Sequence, residues 1–317
     1  MFIVYCLLFI VFPMQPIKNF FISAILLLSV SCANQYTEPA DSTESADQEP
    51  SALVNISVSE FTSGFDDGPL EAPTRASSVA DYADLKLLTL VFYEGTTPIY
   101  ECTQNRDDAS TYDTFGNFSC TLPLGDYQLV VVGRTYSTGD TFTLTSATEA
   151  AYTSEKVRDT FCAHQPVTVY STAPQNLNIT LSRISSMLRV VSTDNRTTEA
   201  TQIRTTFGAG GKGFNPTTGL ATTNTGFTVV NHPTSAVGNP IAIYSYLYLS
   251  SDTQTMDITL EVLDDNDQVL YTKVVPNVTL QRNRRTKLTG PLFNPSSLAS
   301  TTIQIESSWL PESTVNF

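Results

Sequence analysis

The feature that most constrains this chain is a period-two apolar pattern that restarts, with turn signals between, at spacings of roughly 8 to 12 residues. In "SALVNISVSEF", Val54, Ile56 and Val58 alternate with Leu53, Asn55, Ser57 and Ser59. Alternation of that kind gives a strand one apolar face. "DLKLLTLVFYEG" sets Leu85, Leu87 and Val91 against Leu88, Leu90 and Phe92, apolar on both faces, as for a strand at the centre of a sandwich. "GNFSCTLPLGDYQLVVVGRTY" predicts two strands joined by a turn at Pro123–Asp126. "QPVTVYS" and "QNLNITLSRISSMLRVVSTD" continue the strand pattern, which restarts around Ser192 to Glu199. Beyond it come "TQIRTTF", "GFTVVNH", "NPIAIYSYLYLSS", "MDITLEVLDDNDQVLYTKVVPN", "TKLTGPLF" and "TTIQIESSW". "LDDNDQ" is a hairpin signal, because Asp and Asn tolerate the positive φ of tight turns. One segment, "TSATEAAYTSEKVRDTF", predicts a helix, with Ser146 or Thr148 as its cap. The expected fold class is all-β, two β-sandwiches in tandem over residues 51–191 and 192–317.

Composition agrees. Only 15% of residues are charged, and Thr, Ser, Val, Leu and Tyr dominate the remainder, which suits half-buried strands better than helices. The net charge is −14, from 31 acidic and 17 basic residues. An acidic surface repels phosphate backbones, so no nucleic-acid partner is expected.

The first 31 residues differ from the rest. Two apolar runs, "MFIVYCLLFIVF" and "FFISAILLLSV", are separated by Pro13, Pro16 and Lys18. A membrane-spanning helix needs about 20 continuous apolar residues, which neither run supplies. The second run fits a secretory signal with a cationic start at Lys18, and Met14 is the expected initiator. Ser29 and Ser31 lead into Cys32 much as in a bacterial lipoprotein box, although Leu28 stands four positions before the cysteine rather than three. Residues 1–31 are therefore expected to be a signal peptide and Cys32 the lipidated first residue. Its acyl chains would hold the protein on a membrane. Residues 32–50, acidic and poor in apolar side chains, are expected to form a disordered tether.

Chemistry is sparse. "FGAGGKGF" carries Gly208, Gly210 and Gly213 in a G-x-G-x-x-G spacing, but "NPTTGLATTNTG" follows where a phosphate site needs a helix. A mobile hairpin loop is the expectation. His164 and His232 are the only histidines, and no second cluster completes a metal site with Cys162. Asp66–Asp67, Asp107–Asp108 and Asp264–Asp265 sit in turns, with weak calcium binding at "DDND" as the alternative to solvated loops. Neither catalysis nor a cofactor is expected. Cys102 and Cys120, in the strand-like runs "IYECTQ" and "NFSCTL", could pair across a hairpin in an oxidising compartment. The alternative is buried free thiols at Cys102, Cys120 and Cys162. Tyr244, Tyr246 and Tyr248 share a strand face, which either packs or stacks on sugars. "QRNRRTK" is locally basic and reads as an outward strand face or a contact for an acidic partner.

Taken in order, the lipoprotein start, "PTRA" at Pro73–Ala76, "DLKLLTLVFYEG", "LPLGDYQLVVVG", "LSRISSMLRVV" and "VTLQRNRRTKLTG" resemble Bacteroidales-type fimbrial subunits, nearest the anchoring and minor-subunit lipoproteins. The resemblance implies an outer-membrane, surface-exposed lipoprotein of two transthyretin-like β-sandwiches. Its partners would be other fimbrial subunits, joined by β-strand addition. In that scheme stalk subunits lose their first strand to an Arg-specific protease and accept a neighbour's strand, whereas anchors keep both strand and lipid. Mapped onto this chain, the removable strand is Leu53–Phe61, with Leu53, Val54, Ile56, Val58 and Phe61. The cleavage candidate is Arg75. The donor is Thr301–Trp309, with Ile303, Ile305 and Trp309. An anchor or accessory subunit is expected. The alternatives are a stalk or tip fimbrillin cut after Arg75, or a surface glycan-binding lipoprotein.

Overall fold

A computed structural model describes residues 49–62, 77–79, 82–108, 114–294 and 301–306. Among them are strands and no helix, so the all-β class expected from the alternation holds. The first half contains β1 (Ser51–Thr62), β2 (Ser77–Ser78), β3 (Leu87–Glu94), β4 (Thr97–Asn105) and β5 (Asn117–Pro123). It continues with β6 (Gly125–Arg134), β7 (Phe142–Ser146), β8 (Glu149–Tyr152), β9 (Thr160–Val169) and β10 (Gln175–Arg183). The second half opens with β11 (Ser186–Ser192), β12 (Gln202–Phe207), β13 (Gly213–Asn215), β14 (Leu220–Ala221) and β15 (Phe227–Asn231). It ends with β16 (Ala242–Leu247), β17 (Thr253–Leu263), β18 (Val269–Gln281), β19 (Arg285–Gly290) and β20 (Thr302–Glu306).

The first sandwich is one sheet in the order β2-β1-β10-β9-β6-β3-β4, with β5 pairing on β1. Its strands present alternate residues to one cluster: Val54, Ile56 and Val58 from β1, Leu88, Leu90 and Phe92 from β3, Leu129 and Val131 from β6, Ile179 and Leu181 from β10. Because β4 and β5 both point into that cluster from opposite ends of the strand order, the sheet closes around it. The buried Gln104 side chain completes the closure. Its Nε2 donates to the Asn117 carbonyl at 2.6 Å and its Oε1 accepts from the Gly116 N–H at 2.7 Å.

The second sandwich stacks the sheet β16-β11-β19-β20 on the sheet β15-β12-β17-β18. Leu188, Val190, Ile203, Phe207, Ile258, Leu260, Val278 and Leu288 fill the space between them. All of β11 but Ser192 lies on the N-terminal side of the expected boundary at 191/192. It nevertheless pairs antiparallel with β16 and parallel with β19, and Leu188 and Val190 belong to this second core.

A third cluster accounts for the two-faced β3. Val91 and Tyr93, on the opposite side from Leu90 and Phe92, meet Val130, Val132, Ala150, Tyr152, Val157, Phe214 and Tyr248. A small sheet, β14-β13-β8-β7, covers this outer face and draws strands from both halves of the chain. The helix expected over 145–161 is corrected here. β7 and β8 form a hairpin instead, and Ser146 Oγ accepts from the Thr148 N–H within its turn rather than capping a helix. Burial of Ala150 and Tyr152 at period two decides the outcome over the helix propensity of "TEAA". The Gly208–Gly213 stretch does not join a hairpin, since β12 and β13 belong to different sheets. Gly210, at φ 79°, runs against backbone, and a Cβ there would sit 2.8 Å from the Tyr248 carbonyl oxygen. Gly211 bridges to Tyr248.

Candidate strand-addition site

β1 and β20, the two strands singled out in the sequence, occupy unlike positions. β1 runs parallel to β10 from Val54↔Gln175 to Thr62↔Ser182 and antiparallel to β5 from Ser51↔Pro123 to Ser57↔Asn117. It is therefore an interior strand, with β2 added near its end at Phe61↔Ser77. Val54, Ile56 and Val58 are fully buried, whereas Leu53 faces outward at 43% exposure. Burying three such side chains contributes about 1.5–3 kcal/mol each. On the outer face Asn55 ties the neighbours together: its Nδ2 donates to Asn176 Oδ1 at 3.0 Å and its Oδ1 accepts from Ser119 Oγ at 3.0 Å. The Val58 N–H donates to the Gly116 carbonyl at 2.8 Å. Gly116 has φ 99°, and a Cβ on it would lie 2.6 Å from the Val58 oxygen, so β1 is clamped backbone to backbone.

Were β1 withdrawn, the facing edges of β5 and β10 would lose their ladders, and Phe118, Cys120, Leu122, Ile179 and Leu181 would lose the side chains packed between them. Such a groove asks for alternating apolar residues on an extended segment. β20 has them. It pairs antiparallel with β19 from Arg285↔Glu306 to Thr289↔Thr302 and ends its sheet, while Ile303 and Ile305 remain 41% and 39% exposed. Cys32, Arg75, Trp309 and the side chain of Phe61 lie outside the described residues.

Cys102 and Cys120 do not form the expected hairpin, since β4 pairs with β3 and β5 with β1. Cys120 is a free, buried thiol, so the two cysteines are not joined to each other. Burial pushes the thiols of Cys120 and Cys162 up to about 12, which disfavours the thiolate.

The tyrosine row is divided by packing. Tyr248 is buried and donates from its hydroxyl to Thr160 Oγ1 at 2.8 Å. Tyr246 is half-buried beside Val157, and Tyr244 is exposed under the Arg189 guanidinium. No continuous aromatic platform results. In the basic run, Arg282 binds Asp252 Oδ1 at 2.6 Å and the Thr218 carbonyl at 2.9 Å. In "LDDNDQ", Asp264 Oδ1 accepts from the Asn266 and Gln268 N–H groups, which fixes the hairpin turn. Among the described residues no three His, Cys, Asp or Glu side chains converge as a metal set.

Sequence reasoning missed a buried ion pair where the two halves meet. Arg183 Nε donates to Asp159 Oδ1 at 3.0 Å, the Ser185 hydroxyl donates to the same oxygen at 2.8 Å, and the Tyr82 hydroxyl reaches Oδ2 at 3.2 Å. Burial and the Asp159 charge push the Tyr82 hydroxyl pKa upward. No local motif signals this cluster, because its members come from separate strands and loops.

The model of a family of unknown function, DUF6562, matches residues 51–316. No curated protein matches the chain. Similar solved structures include the fimbrial anchor protein Mfa2 from Porphyromonas gingivalis, at 8% identity and TM-score 0.49, covering 81% of this chain and 98% of that one. A proposed polysaccharide-binding protein (DUF1812) from Bacteroides thetaiotaomicron is 9% identical, with TM-score 0.49 and coverage of 82% and 99%. A proposed adhesin from Bacteroides ovatus is 9% identical, with TM-score 0.45 and coverage of 75% and 88%.

Proposed function

Since the chain belongs to the DUF6562 family, whose description assigns no activity, we propose a function from its own strands: a non-enzymatic cell-surface lipoprotein and structural subunit of a fimbrium, joined to other subunits by strand addition. The observation that carries the reading is the contrast in how its two alternating strands are held. β1 is locked into the first core on both sides, whereas β20 is a five-residue edge strand whose inward isoleucines are incompletely covered. A subunit that keeps β1 has no open acceptor groove and acts as a donor through β20. That is the behaviour of an anchor or accessory subunit, with Cys32 as the point of lipid attachment and the outer membrane as its seat. Cleavage after Arg75 would cut the chain between β1 and β2 and leave β1 held only by its ladders and side chains. A replacement strand would then be needed to release it, which is the stalk or tip alternative.

Intact mass and N-terminal analysis of the protein from its native outer membrane separates these roles. A lipid-modified Cys32 with residues 33–75 retained is the expected result. A chain that begins at Ala76 without lipid would refute the anchor reading and make this subunit an acceptor.

A further inference from the structure

Among the described residues only two strand pairs run parallel, β1 with β10 and β11 with β19. The other ladders are antiparallel. The two parallel pairs hold equivalent places. β1 enters the first sandwich and β10 leaves it; β11 enters the second, and β19 leaves its core ahead of the edge strand β20. Parallel strands bond slightly less well per residue than antiparallel ones, so ladder stability alone does not favour this arrangement.

What parallel pairing does is put the entrance of one strand and the exit of its partner at opposite ends of the ladder. β1 enters at the Val54↔Gln175 end, and β10 leaves at the Thr62↔Ser182 end. A pull along the chain therefore slides β1 along β10 and loads their hydrogen bonds together rather than one after another. The same slide shears the ladder between β1 and β5. In the second sandwich β11 enters at Met187↔Arg285 and β19 leaves at Ser192↔Gly290. Val54, Ile56, Val58, Leu188, Val190 and Leu288 are buried, so sliding also drags apolar side chains out of close packing. β20 lies outside this arrangement. Its last residue, Glu306, pairs with Arg285 at the end where β11 enters, so a pull there opens the β19–β20 ladder pair by pair.

The two parallel ladders are joined without slack. Only Ile184 and Ser185 separate β10 from β11. The Ile184 N–H donates to the Thr160 carbonyl at 3.0 Å, and the Ser185 carbonyl accepts from the Asn283 N–H at 3.0 Å. Buried Asp159 accepts from Arg183 Nε at 3.0 Å and from the Ser185 hydroxyl at 2.8 Å through one oxygen, which ties the exit of β10 and the link to the start of β9.

We propose that the β1–β10 and β11–β19 pairs are two shear clamps in series, which carry tension through this protein from the N-terminal side of β1 to the C-terminal side of β19. The inference deepens the fimbrial reading, which supplies the load, on a subunit tethered at one end and bound to a partner at the other. The directional strength itself belongs to the isolated protein.

Single-molecule force spectroscopy on the folded protein tests it, with one handle on Ser51→Cys, an exposed position, in both experiments. A second handle beyond Glu306 shears the β1–β10 ladder. A second handle on Thr172→Cys, exposed in the turn ahead of β10, opens the same ladder from its Val54↔Gln175 end. The length of chain released, up to about 3.6 Å per residue, identifies each event. Forced unfolding reports the unfolding rate and not the equilibrium stability, so one fold can resist the two directions differently. At one loading rate the first sandwich is expected to rupture at several-fold higher force in shear than in the opening geometry. The shear record should begin with a small low-force release of β20. Equal or lower force in shear would overturn the proposal, as would rupture of the first sandwich before β20 lets go. A clamp found in a protein whose Cys32 carries no lipid would refute the anchor reading alone.

Discussion

β1 and β20 read almost alike as sequence and are held in opposite ways. "LVNISV" and "TIQIE" both alternate apolar and polar residues, and both belong to sheets that close a core. β1 has a strand on each side and buries Val54, Ile56 and Val58 completely. β20 has a partner on one side only, and its two isoleucines stay about two-fifths exposed. The alternation specifies which face is apolar; the number of flanking strands sets how much free energy depends on it. The contrast teaches that the two strands are held asymmetrically. β20 rests on one ladder and two half-covered isoleucines, whereas β1 rests on two ladders and three buried side chains.

The contrast is most easily broken by substitutions in β1. Ile56→Asp places an uncompensated charge in the first core and is expected to abolish folding, read as loss of the thermal transition. Ile56→Ala should cost about 2–5 kcal/mol in denaturant titration, in line with large-to-small core changes. Gly116→Ala presses on the Val58 oxygen at a strained φ and should cost about 1–3 kcal/mol. Asn55→Ala removes two exposed side-chain hydrogen bonds and should cost about 0.5–1.5 kcal/mol. Ile303→Ala in β20 should fall below about 1 kcal/mol, because so much of that side chain already meets water. A cost for Ile303→Ala equal to that for Ile56→Ala would erase the asymmetry. Hydrogen exchange sharpens the same point: β1 amides should open only with global unfolding, and β20 amides far sooner.

Much of the fold could be read directly. The alternation of β1, the two apolar faces of β3 and the turn chemistry of "LDDNDQ" each encode their outcome locally. The rest is set by residues distant in sequence. "TSATEAAYTSEKVRDTF" carries a helical composition, but Ala150 and Tyr152 are claimed by a cluster that includes Phe214 and Tyr248, which no local window contains. Cys102 and Cys120 sit in consecutive runs, and the sheet order sends β4 and β5 to different neighbours. The strands of the candidate site were legible because each is a short local pattern. The Asp159–Arg183 pair was not, since it and its Tyr82 and Ser185 partners are assembled from side chains apart in the chain.

The most direct test of strand donation is to lock β20 in its own sheet. Lys287 and Gln304 are paired across β19 and β20, so Lys287→Cys with Gln304→Cys places two thiols opposite each other. Native cells carrying wild-type or double-cysteine protein would be chemically cross-linked, and the higher-order species containing this chain compared under oxidising and reducing conditions. If β20 is the donor, the oxidised variant remains monomeric at normal abundance, and reductant restores the wild-type ladder. An oxidised, locked variant that gives the same ladder as the wild type would contradict the account.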